Sequence, residues 1–178
     1  MRIEHLPLEG VVLLGYDTAR DDRGSFRRVI DLGDLAGLGL DSRVSQVSAA
    51  TNDVRGTVRG MHYQARPHEE SKTIWCTRGS VFDVLVDVRP EQPTYGSWCS
   101  VTLADGDGLA LHVPPGIAHG YQTLEDDSAL VYVMSTPHHP ESARSLLWSD
   151  PTVAITWPLP VTRISDRDRE APAWPPQH

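Results

Sequence analysis

The chain contains few cysteines and no long hydrophobic segment. Its two cysteines, Cys76 and Cys99, have neither the number nor the spacing of a disulfide framework or a zinc site, and we expect both to be reduced and buried. No stretch approaches the roughly eighteen apolar residues of a membrane-spanning helix, and the opening MRIEHLPLEG lacks the apolar core of a signal peptide. We therefore expect a cytoplasmic protein without a membrane partner.

An excess of positive charge is also absent. The 178 residues carry a formal charge of -8, which argues against binding to nucleic acid or to an anionic membrane. A small anionic ligand is compatible with this charge if arginines and lysines cluster locally. The content of 39% hydrophobic and 22% charged residues is that of a globular protein, and the length favours one domain over residues 1–178, with a frayed tail from about residue 171.

Helical periodicity is scarce, whereas turn residues recur at short intervals. We expect one short helix within residues 31–40 and another within 141–150. Many short strands separated by Gly, Pro, Asn and Asp predict an all-β fold, either an antiparallel sandwich or a barrel. The predicted strands are GVVLLGY, SFRRVI, RVSQVSAA, TVRGMHY, KTIWCT, SVFDVLVDVR, SWCSVTL, LALHVPP and ALVYVMS.

The strand VFDVLVDVR, residues 81–89, has two faces of different character. Phe82 and three valines share one face, while Asp83, Asp87 and Arg89 fall on the other. Two interpretations are open. The polar face either contacts water, as in a one-sided antiparallel sheet, or points into a barrel whose interior holds a polar pocket.

The segment GTVRGMHYQ, residues 56–64, places a cation and an imidazole inside a predicted strand. Arg59 and His62 lie three positions apart, among glycines that a regular strand avoids. Strict alternation would send their side chains to opposite faces of the strand. If both reach one pocket, Gly60 should mark a β-bulge or an irregular twist.

Ionisable or hydroxyl-bearing side chains recur in other predicted strands or at their ends. Such a group in an apolar strand requires a partner or a functional role. A lone histidine in a strand is more often structural than catalytic, but a β-barrel would bring these groups together. The set consists of His62, Lys72, Asp83, His119 and Tyr132.

A metal site is one alternative explanation for this set. Metal-binding cupins carry a His-x-His pair, a glutamate shortly after it and a third histidine on a later strand. Here Gln64 replaces the second histidine of the pair, and His68 follows Pro67 in a predicted loop. Because a site with open coordination positions usually takes three protein ligands, we expect no metal.

Eight blocks between about residues 3 and 170 carry a family resemblance. Their order and spacing resemble those of the dTDP-4-dehydrorhamnose 3,5-epimerases and their relatives in deoxysugar biosynthesis. The resemblance implies a jelly-roll barrel of cupin type, free of metal and cofactor, that forms a homodimer. The blocks are DDRGSF, GTVRGMHYQ, KTIWCTRGSVFDVLVDVR, PTYGSW, VPPGIAHGYQTLEDD, VYVMST, WSDPTVAITWP and ISDRD.

The same resemblance implies four catalytic roles. His62 would remove a proton from the sugar, and Asp168 would orient His62 and favour its protonated form. Lys72 would stabilise the enolate oxygen. Tyr132 would return a proton from the opposite face of the ring.

Substrate-binding roles follow in the same way. Arg23 and Arg59 would hold the diphosphate, because the planar guanidinium donates to two oxygens at once. Phe26 and Gln46 would line the nucleotide side of the site. Asp83 and His119 would belong to the polar network around the base.

Several positions depart from the family pattern. Arg28 stands where the family usually has a glutamate, and the QxNxSxS pattern appears as Gln46, Ser48 and Ala50. His138 replaces a tyrosine that is often found after the YxxT block. All of these lie on the implied nucleotide side, so they bear on the identity of the base or sugar more than on the reaction type.

The residues and the resemblance together predict an isomerase acting on a dTDP-linked 4-keto-6-deoxyhexose. It would invert C3, C5 or both, in rhamnose or secondary-metabolite biosynthesis. A fixed cation in a water-poor pocket stabilises the oxyanion that forms when a hydrogen beside a ketone is removed, and imidazole has an ordinary pKa of about 6.5, near working pH. Two alternatives stay open: a metal-dependent cupin oxygenase or isomerase, and a non-catalytic sugar-nucleotide-binding cupin.

The missing His-x-His pair yields a first testable prediction. Epimerisation should survive exhaustive chelation because no step requires a metal, and elemental analysis of the purified protein should find no stoichiometric metal. Loss of activity in chelator, with recovery on adding one particular divalent ion, would overturn the prediction in favour of the metal-dependent alternative.

Overall fold

The protein is described here by a computed structural model covering residues 1–175. No helix in this range is long and apolar enough to cross a membrane. Strands and helices follow the chain as Arg2–His5 (β1), Val12–Gly15 (β2), Thr18–Asp21 (β3), Gly24–Arg27 (β4), Leu32–Gly37 (α1), Gln46–Asn52 (β5), Val58–Gln64 (β6), Lys72–Arg78 (β7), Ser80–Asp87 (β8), Trp98–Ala104 (β9), Leu109–Val113 (β10), Ile117–Thr123 (β11), Ser128–Met134 (β12), Ala143–Ser145 (β13) and Asp166–Arg169 (α2).

The strands form two main sheets and a separate hairpin. One sheet has the order β1-β2-β10-β7-β12-β5 and the other the order β13-β6-β11-β8-β9, while β3 pairs with β4 alone. All strand pairs within the two sheets are antiparallel. The predicted all-β, antiparallel architecture is confirmed, and most neighbouring strands in each sheet are not consecutive along the chain, as in a jelly roll.

The main core fills the space between the two sheets. Ile74 and Leu111 from the six-stranded sheet meet Leu85 from the five-stranded sheet, and all three are fully buried. The outer faces are covered as well. On the five-stranded sheet, Val86 packs against Val153 of the C-terminal segment. On the six-stranded sheet, apolar residues of β2 pack against α1.

This double coverage decides between the two interpretations of residues 81–89. Asp83 and Asp87 are both 0% exposed, so the interpretation in which the polar face contacts water is wrong. The valine face lies under the C-terminal segment, and the aspartate face points between the sheets beside Leu85. Asp87 is satisfied there by Arg89 and Thr94.

A β-bulge at Gly60 is confirmed. His62 pairs with His119 and Arg59 with Tyr121, so Gly60 and Met61 on β6 face the single residue Gly120 on β11. One extra residue shifts the alternation by one position. Arg59 and His62 therefore line the same cavity instead of opposite faces.

Some predicted elements differ in the structure. The short helix within 31–40 is confirmed as α1, but the helix predicted within 141–150 is wrong, because residues 143–145 pair with the open edge of β6 as β13. Backbone pairing at a sheet edge outweighs local helix propensity here. Strands β1, β3 and β11 were not predicted, nor was α2. The fully buried strand β11 carries a glycine and polar residues that obscure its pattern.

The predicted frayed tail falls partly within the described residues. Fraying does not hold for Trp174, because its backbone N–H donates to Asp150 at 2.8 Å and its ring packs against Tyr95. Residues 176–178 lie outside the described part of the chain, and for them fraying stays a prediction.

The bulge predicts a large difference between two glycine substitutions. Gly60 has φ +128°, and a Cβ there would lie 2.5 Å from the Gly120 Cα, whereas Gly24 has φ +130° with nothing within 4 Å. Gly24→Ala should cost about 1–2 kcal/mol in the free energy of unfolding, from backbone conformation alone. Gly60→Ala should cost at least about 2 kcal/mol more, because two backbones must separate. Urea unfolding measures both, and equal losses would contradict the close-approach argument.

Candidate active site

A cavity of about 420 Å³ opens between the two sheets. It collects side chains from β5, β6, β7, β11 and β12, so residues up to 92 positions apart meet in one place. Seven of the predicted site residues line it, and two more, Asp83 and Asp168, pair with lining histidines. The lining consists of Gln46, Ser48, Ala50, Arg59, His62, Glu70, Lys72, His119, Tyr121, Tyr132, Met134 and His138.

His62 and Asp168 form a close pair on the five-stranded side of the cavity. The His62 Nε2 lies 2.6 Å from the Asp168 Oδ1. Asp168 is held in place because the Gly60 N–H donates to its Oδ2 at 3.2 Å and Ser165 caps the helix turn that carries it. Burial opposes ionisation of Asp168, but its hydrogen bonds with His62, Gly60 and Ser165 outweigh burial and lower its pKa. The carboxylate is thus kept charged beside the imidazole.

Lys72 supplies the ammonium of the cavity. It is the only lysine in the chain, since every other basic side chain apart from the histidines is an arginine. Its Nζ lies 3.1 Å from the Glu70 Oε1 and donates to the His62 backbone carbonyl at 3.4 Å. The ammonium is therefore held against the backbone of His62 in the cavity wall.

Tyr132 lies on the six-stranded sheet, facing the sheet that carries His62. Burial raises its pKa well above the ordinary value, and a hydrogen bond with the Tyr121 hydroxyl adds to this. Tyr121 in turn donates to the Asn52 Oδ1 at 3.1 Å. A protonated phenol, connected to a chain of hydroxyl and amide groups, is thus available inside the cavity.

His119 and Asp83 form a second imidazole–carboxylate pair. The His119 Nε2 lies 2.9 Å from the Asp83 Oδ2, and the His119 ring meets the Tyr132 ring edge-on at 6.1 Å. Complete burial raises the Asp83 pKa, although His119 and Lys72 act against this. The Asp83 Oδ1 is the one buried side-chain oxygen or nitrogen without a hydrogen-bond partner among residues 1–175.

Arg59 lines this cavity and also a neighbouring groove. Its Nε donates to the Asn52 Oδ1 at 2.8 Å and its Nη2 to the Thr51 carbonyl at 3.2 Å. The groove is also lined by Arg163, Arg167, His62 and Asp168. The two additional arginines were not assigned from the sequence, although Arg167 directly precedes Asp168 in the ISDRD block.

Two of the residues implied for the nucleotide side, Gln46 and His138, line the cavity. The His138 N–H donates to the Gln46 Oε1 at 3.0 Å, which fixes the Gln46 amide with its NH₂ group free to donate elsewhere. The departing positions Ser48 and Ala50 are also on this wall. Met134, which has no polar atom beyond its thioether, completes it and was not predicted.

Arg23 and Phe26 do not line this cavity in their own chain. Both lie on the β3–β4 hairpin and line a separate surface groove. Arg23 pairs with Asp21 on the same hairpin. Phe26 is 79% exposed, an unusual state for a phenylalanine. The hairpin pairs with neither main sheet, so nothing directs these two side chains towards His62 of their own chain.

Within the described residues, one group of side chains has the composition of a metal site, and it lies outside the cavity. It consists of His68, His139 and Glu141. The two imidazole rings stack at 3.6 Å and 7°, so their nitrogen lone pairs run side by side instead of converging on one point. His62 and His119 are each paired with an aspartate.

Comparisons with known proteins assign the family. The sequence profile described as dTDP-4-dehydrorhamnose 3,5-epimerase matches residues 5–175. The chain belongs to this family. The dTDP-4-dehydrorhamnose 3,5-epimerase of Sinorhizobium fredii is 38% identical over 97% of this chain and 89% of its own length. The dTDP-4-dehydrorhamnose 3-epimerase of Streptomyces niveus is 35% identical over 96% of this chain and 83% of its own length.

Solved structures in the family share the fold. The dTDP-6-deoxy-D-glucose-3,5-epimerase of Legionella pneumophila, in complex with dTDP-4-keto-L-rhamnose, is 31% identical and superposes with a TM-score of 0.89. The match covers 96% of this chain and 90% of that one. The epimerase is thus an isomerase with the cupin-type jelly roll implied by its sequence, and both predictions are confirmed.

The position of Arg59 predicts its effect on nucleotide binding. Arg59→Ala should weaken binding of dTDP about 10- to 100-fold, because a charge-assisted hydrogen bond to phosphate is lost. Arg55→Ala, a nearby exposed arginine that lines none of the cavities above, should stay within about twofold. Titration calorimetry measures both, with melting temperatures as a check on folding. Equal affinity for the two variants would remove Arg59 from the site.

Proposed function

We propose that this epimerase inverts C3, or both C3 and C5, of a dTDP-linked 4-keto-6-deoxyhexose by removing and returning a proton. One observation carries the proposal. The His62–Asp168 pair comes from one side of the cavity, and Tyr132 comes from the opposing sheet. A sugar ring bound between the sheets has one proton carrier on each face, as inversion requires.

The geometry selects the atom of His62 that acts as base. Its Nε2 is occupied by Asp168 at 2.6 Å, so Nδ1 is the nitrogen that takes the proton from carbon. The charged carboxylate stabilises the imidazolium that results. The pair of electrons from the broken C–H bond moves to the ketone oxygen, where the Lys72 ammonium stabilises the enolate.

Tyr132 completes the inversion in this mechanism. Its hydroxyl, kept protonated by burial, donates to carbon from the face opposite His62. No cofactor is required, because the step moves only protons and leaves the oxidation state of the sugar unchanged. The family's members include both 3,5- and 3-epimerases, so the carbon that is inverted is a property of the individual chain.

Arginines next to the cavity supply the diphosphate site in this proposal. Arg59 lies at the boundary between cavity and groove, with Arg163 and Arg167 along the groove. This cluster counteracts the formal charge of -8 where an anion would bind. The nucleoside would then extend along Gln46 and His138.

We also propose that the epimerase is a cytoplasmic homodimer. The hairpin carries the exposed Phe26, and the edge strand β5 carries Val47 with 63% exposure beside the cavity. Covering these residues with a second copy would bring Arg23 and Phe26 to the partner's nucleotide side, which accounts for their distance from their own cavity. Both cysteines are free thiols, which suits a reducing compartment.

Proton NMR of dTDP-4-keto-6-deoxyglucose with the enzyme in deuterium oxide tests the proposal. Deuterium should enter C3, or C3 and C5, and the count identifies the inverted carbon. His62→Ala should abolish both exchange and inversion, since a general base contributes about 10²–10⁴-fold. Wild-type protein that binds dTDP but exchanges no deuterium would support the non-catalytic alternative instead.

Tyr132→Phe should separate exchange from inversion. His62 can still remove a proton and return a solvent deuteron to the same face, so exchange should continue. Inversion should fall by about 10²-fold or more, because no donor acts on the other face. The substitution is nearly isosteric, so lost packing is a poor explanation for a split. Wild-type inversion, or equal loss of both activities, would remove Tyr132 from the role of proton donor.

A further inference from the structure

Glu70 lies beside Lys72 in the wall of the cavity and has no assigned role. Its Oε1 is 3.1 Å from the Lys72 Nζ, and the two side chains are only 10% and 12% exposed. Surface ion pairs are usually worth little, but this pair is largely removed from water at the position where enolate charge develops. It is therefore a feature of the active site and not of the protein surface.

Gln64 holds the Glu70 carboxylate from its other side. The Gln64 Nε2 has two N–H groups, which are shared among three acceptors: the carbonyls of His68 at 3.0 Å and Pro137 at 3.1 Å, and the Glu70 Oε2 at 3.3 Å. Its Oε1 accepts from the His139 N–H at 2.7 Å. Gln64 is 3% exposed, so the carboxylate rests on a buried and fully occupied amide.

The contacts of Lys72 leave donor capacity for the substrate. An ammonium has three N–H groups. The Lys72 Nζ donates to the His62 carbonyl at 3.4 Å and forms an ion pair with the Glu70 Oε1 at 3.1 Å. These two contacts restrict the position of the ammonium and therefore the directions in which its remaining N–H groups can donate.

We propose that Glu70 is a positioning residue that, together with the His62 carbonyl, holds the Lys72 ammonium where one of its N–H groups can donate to the ketone oxygen of the substrate. This inference rests on the enolate-stabilising role proposed above for Lys72. A preorganised donor stabilises developing charge without the cost of reorienting during the reaction. A lysine side chain without such a contact has four rotatable bonds and would spread its charge over many positions.

An opposing effect makes the proposal testable. The negative charge of Glu70 also weakens the field that Lys72 exerts on the enolate, so removing it could accelerate the reaction. If orientation dominates, Glu70→Gln slows epimerisation. If charge dominates, the same substitution leaves the rate unchanged or raises it.

The experiment compares Glu70→Gln with Glu69→Gln, the same chemical change one residue earlier. Glu69 pairs with Arg66 and lies outside the cavity. Glu70→Gln should lower kcat and the rate of deuterium entry about tenfold, with KM within about twofold, since enolate formation and not binding is impaired. Glu69→Gln should match wild type. Unchanged or faster turnover in Glu70→Gln overturns the proposal.

A double-mutant cycle with Lys72→Met tests whether Glu70 acts through Lys72. In the Lys72→Met background, Glu70→Gln should have no further effect, because the group that it positions is gone. A full tenfold loss in that background would show an independent or merely structural role and would overturn the inference. If Lys72→Met alone retains wild-type turnover, the proposed role of Lys72 fails, which is a different outcome from failure of Glu70.

The single lysine permits a direct readout of position. Protein labelled with ¹³C-lysine gives one side-chain ε-methylene signal, that of Lys72. Its two protons should have distinct shifts in wild type and in Glu69→Gln, because the ammonium is held in one orientation. They should converge in Glu70→Gln as the side chain gains freedom. Equally distinct shifts in all three proteins would contradict the positioning role.

Discussion

The contact between Gly60 and Gly120 is the constraint on which the site depends. A Cβ on Gly60 would lie 2.5 Å from the Gly120 Cα, and a Cβ on Gly120 would lie 2.8 Å from the Arg59 carbonyl, so neither position has room for a side chain. This close approach accommodates the bulge in β6. Since strand alternation has a period of two, one inserted residue brings Arg59 and His62 to the same side. Gly60 also donates its N–H to Asp168. The bulge therefore determines the positions of Arg59 and His62 and contacts the Asp168 carboxylate.

Three carboxylates around the cavity each pair with a basic side chain. His62 is paired with Asp168, His119 with Asp83, and Lys72 with Glu70. Removing such groups from water without partners would cost several kcal/mol each, so pairing makes a polar barrel interior compatible with folding. The pairs are also what makes acid–base chemistry possible here, because each carboxylate keeps its cation or imidazole in a defined place.

The C-terminal segment has a structural and a chemical role. Val153 and Trp157 cover the outer face of the five-stranded sheet, and the chain then returns to place α2 beside β6. Asp168, 106 residues from His62 in sequence, reaches the imidazole only because this segment packs where it does. The two arginines of the adjacent groove, Arg163 and Arg167, arrive on the same segment.

Sequence alone determined the all-β class and the family, and it predicted His62 and Tyr132 as the proton carriers, because alternation, turn residues and ordered motifs are local signals. It also indicated a bulge at Gly60, because a regular strand would send Arg59 and His62 to opposite faces, whereas a shared pocket requires both on the same face. It did not reveal β11, whose glycine and polar residues hide a fully buried strand, or β13, which forms only because β6 offers an open edge. Nor did it assign Glu70, Arg163 or Arg167, because a charged residue in a loop gives no sign of the partner it will meet. Only the tertiary structure decided those contacts, and it left Arg23 and Phe26 on a hairpin away from the cavity of their own chain. The reason is the same in both cases: distances across a barrel depend on packing and not on local sequence pattern.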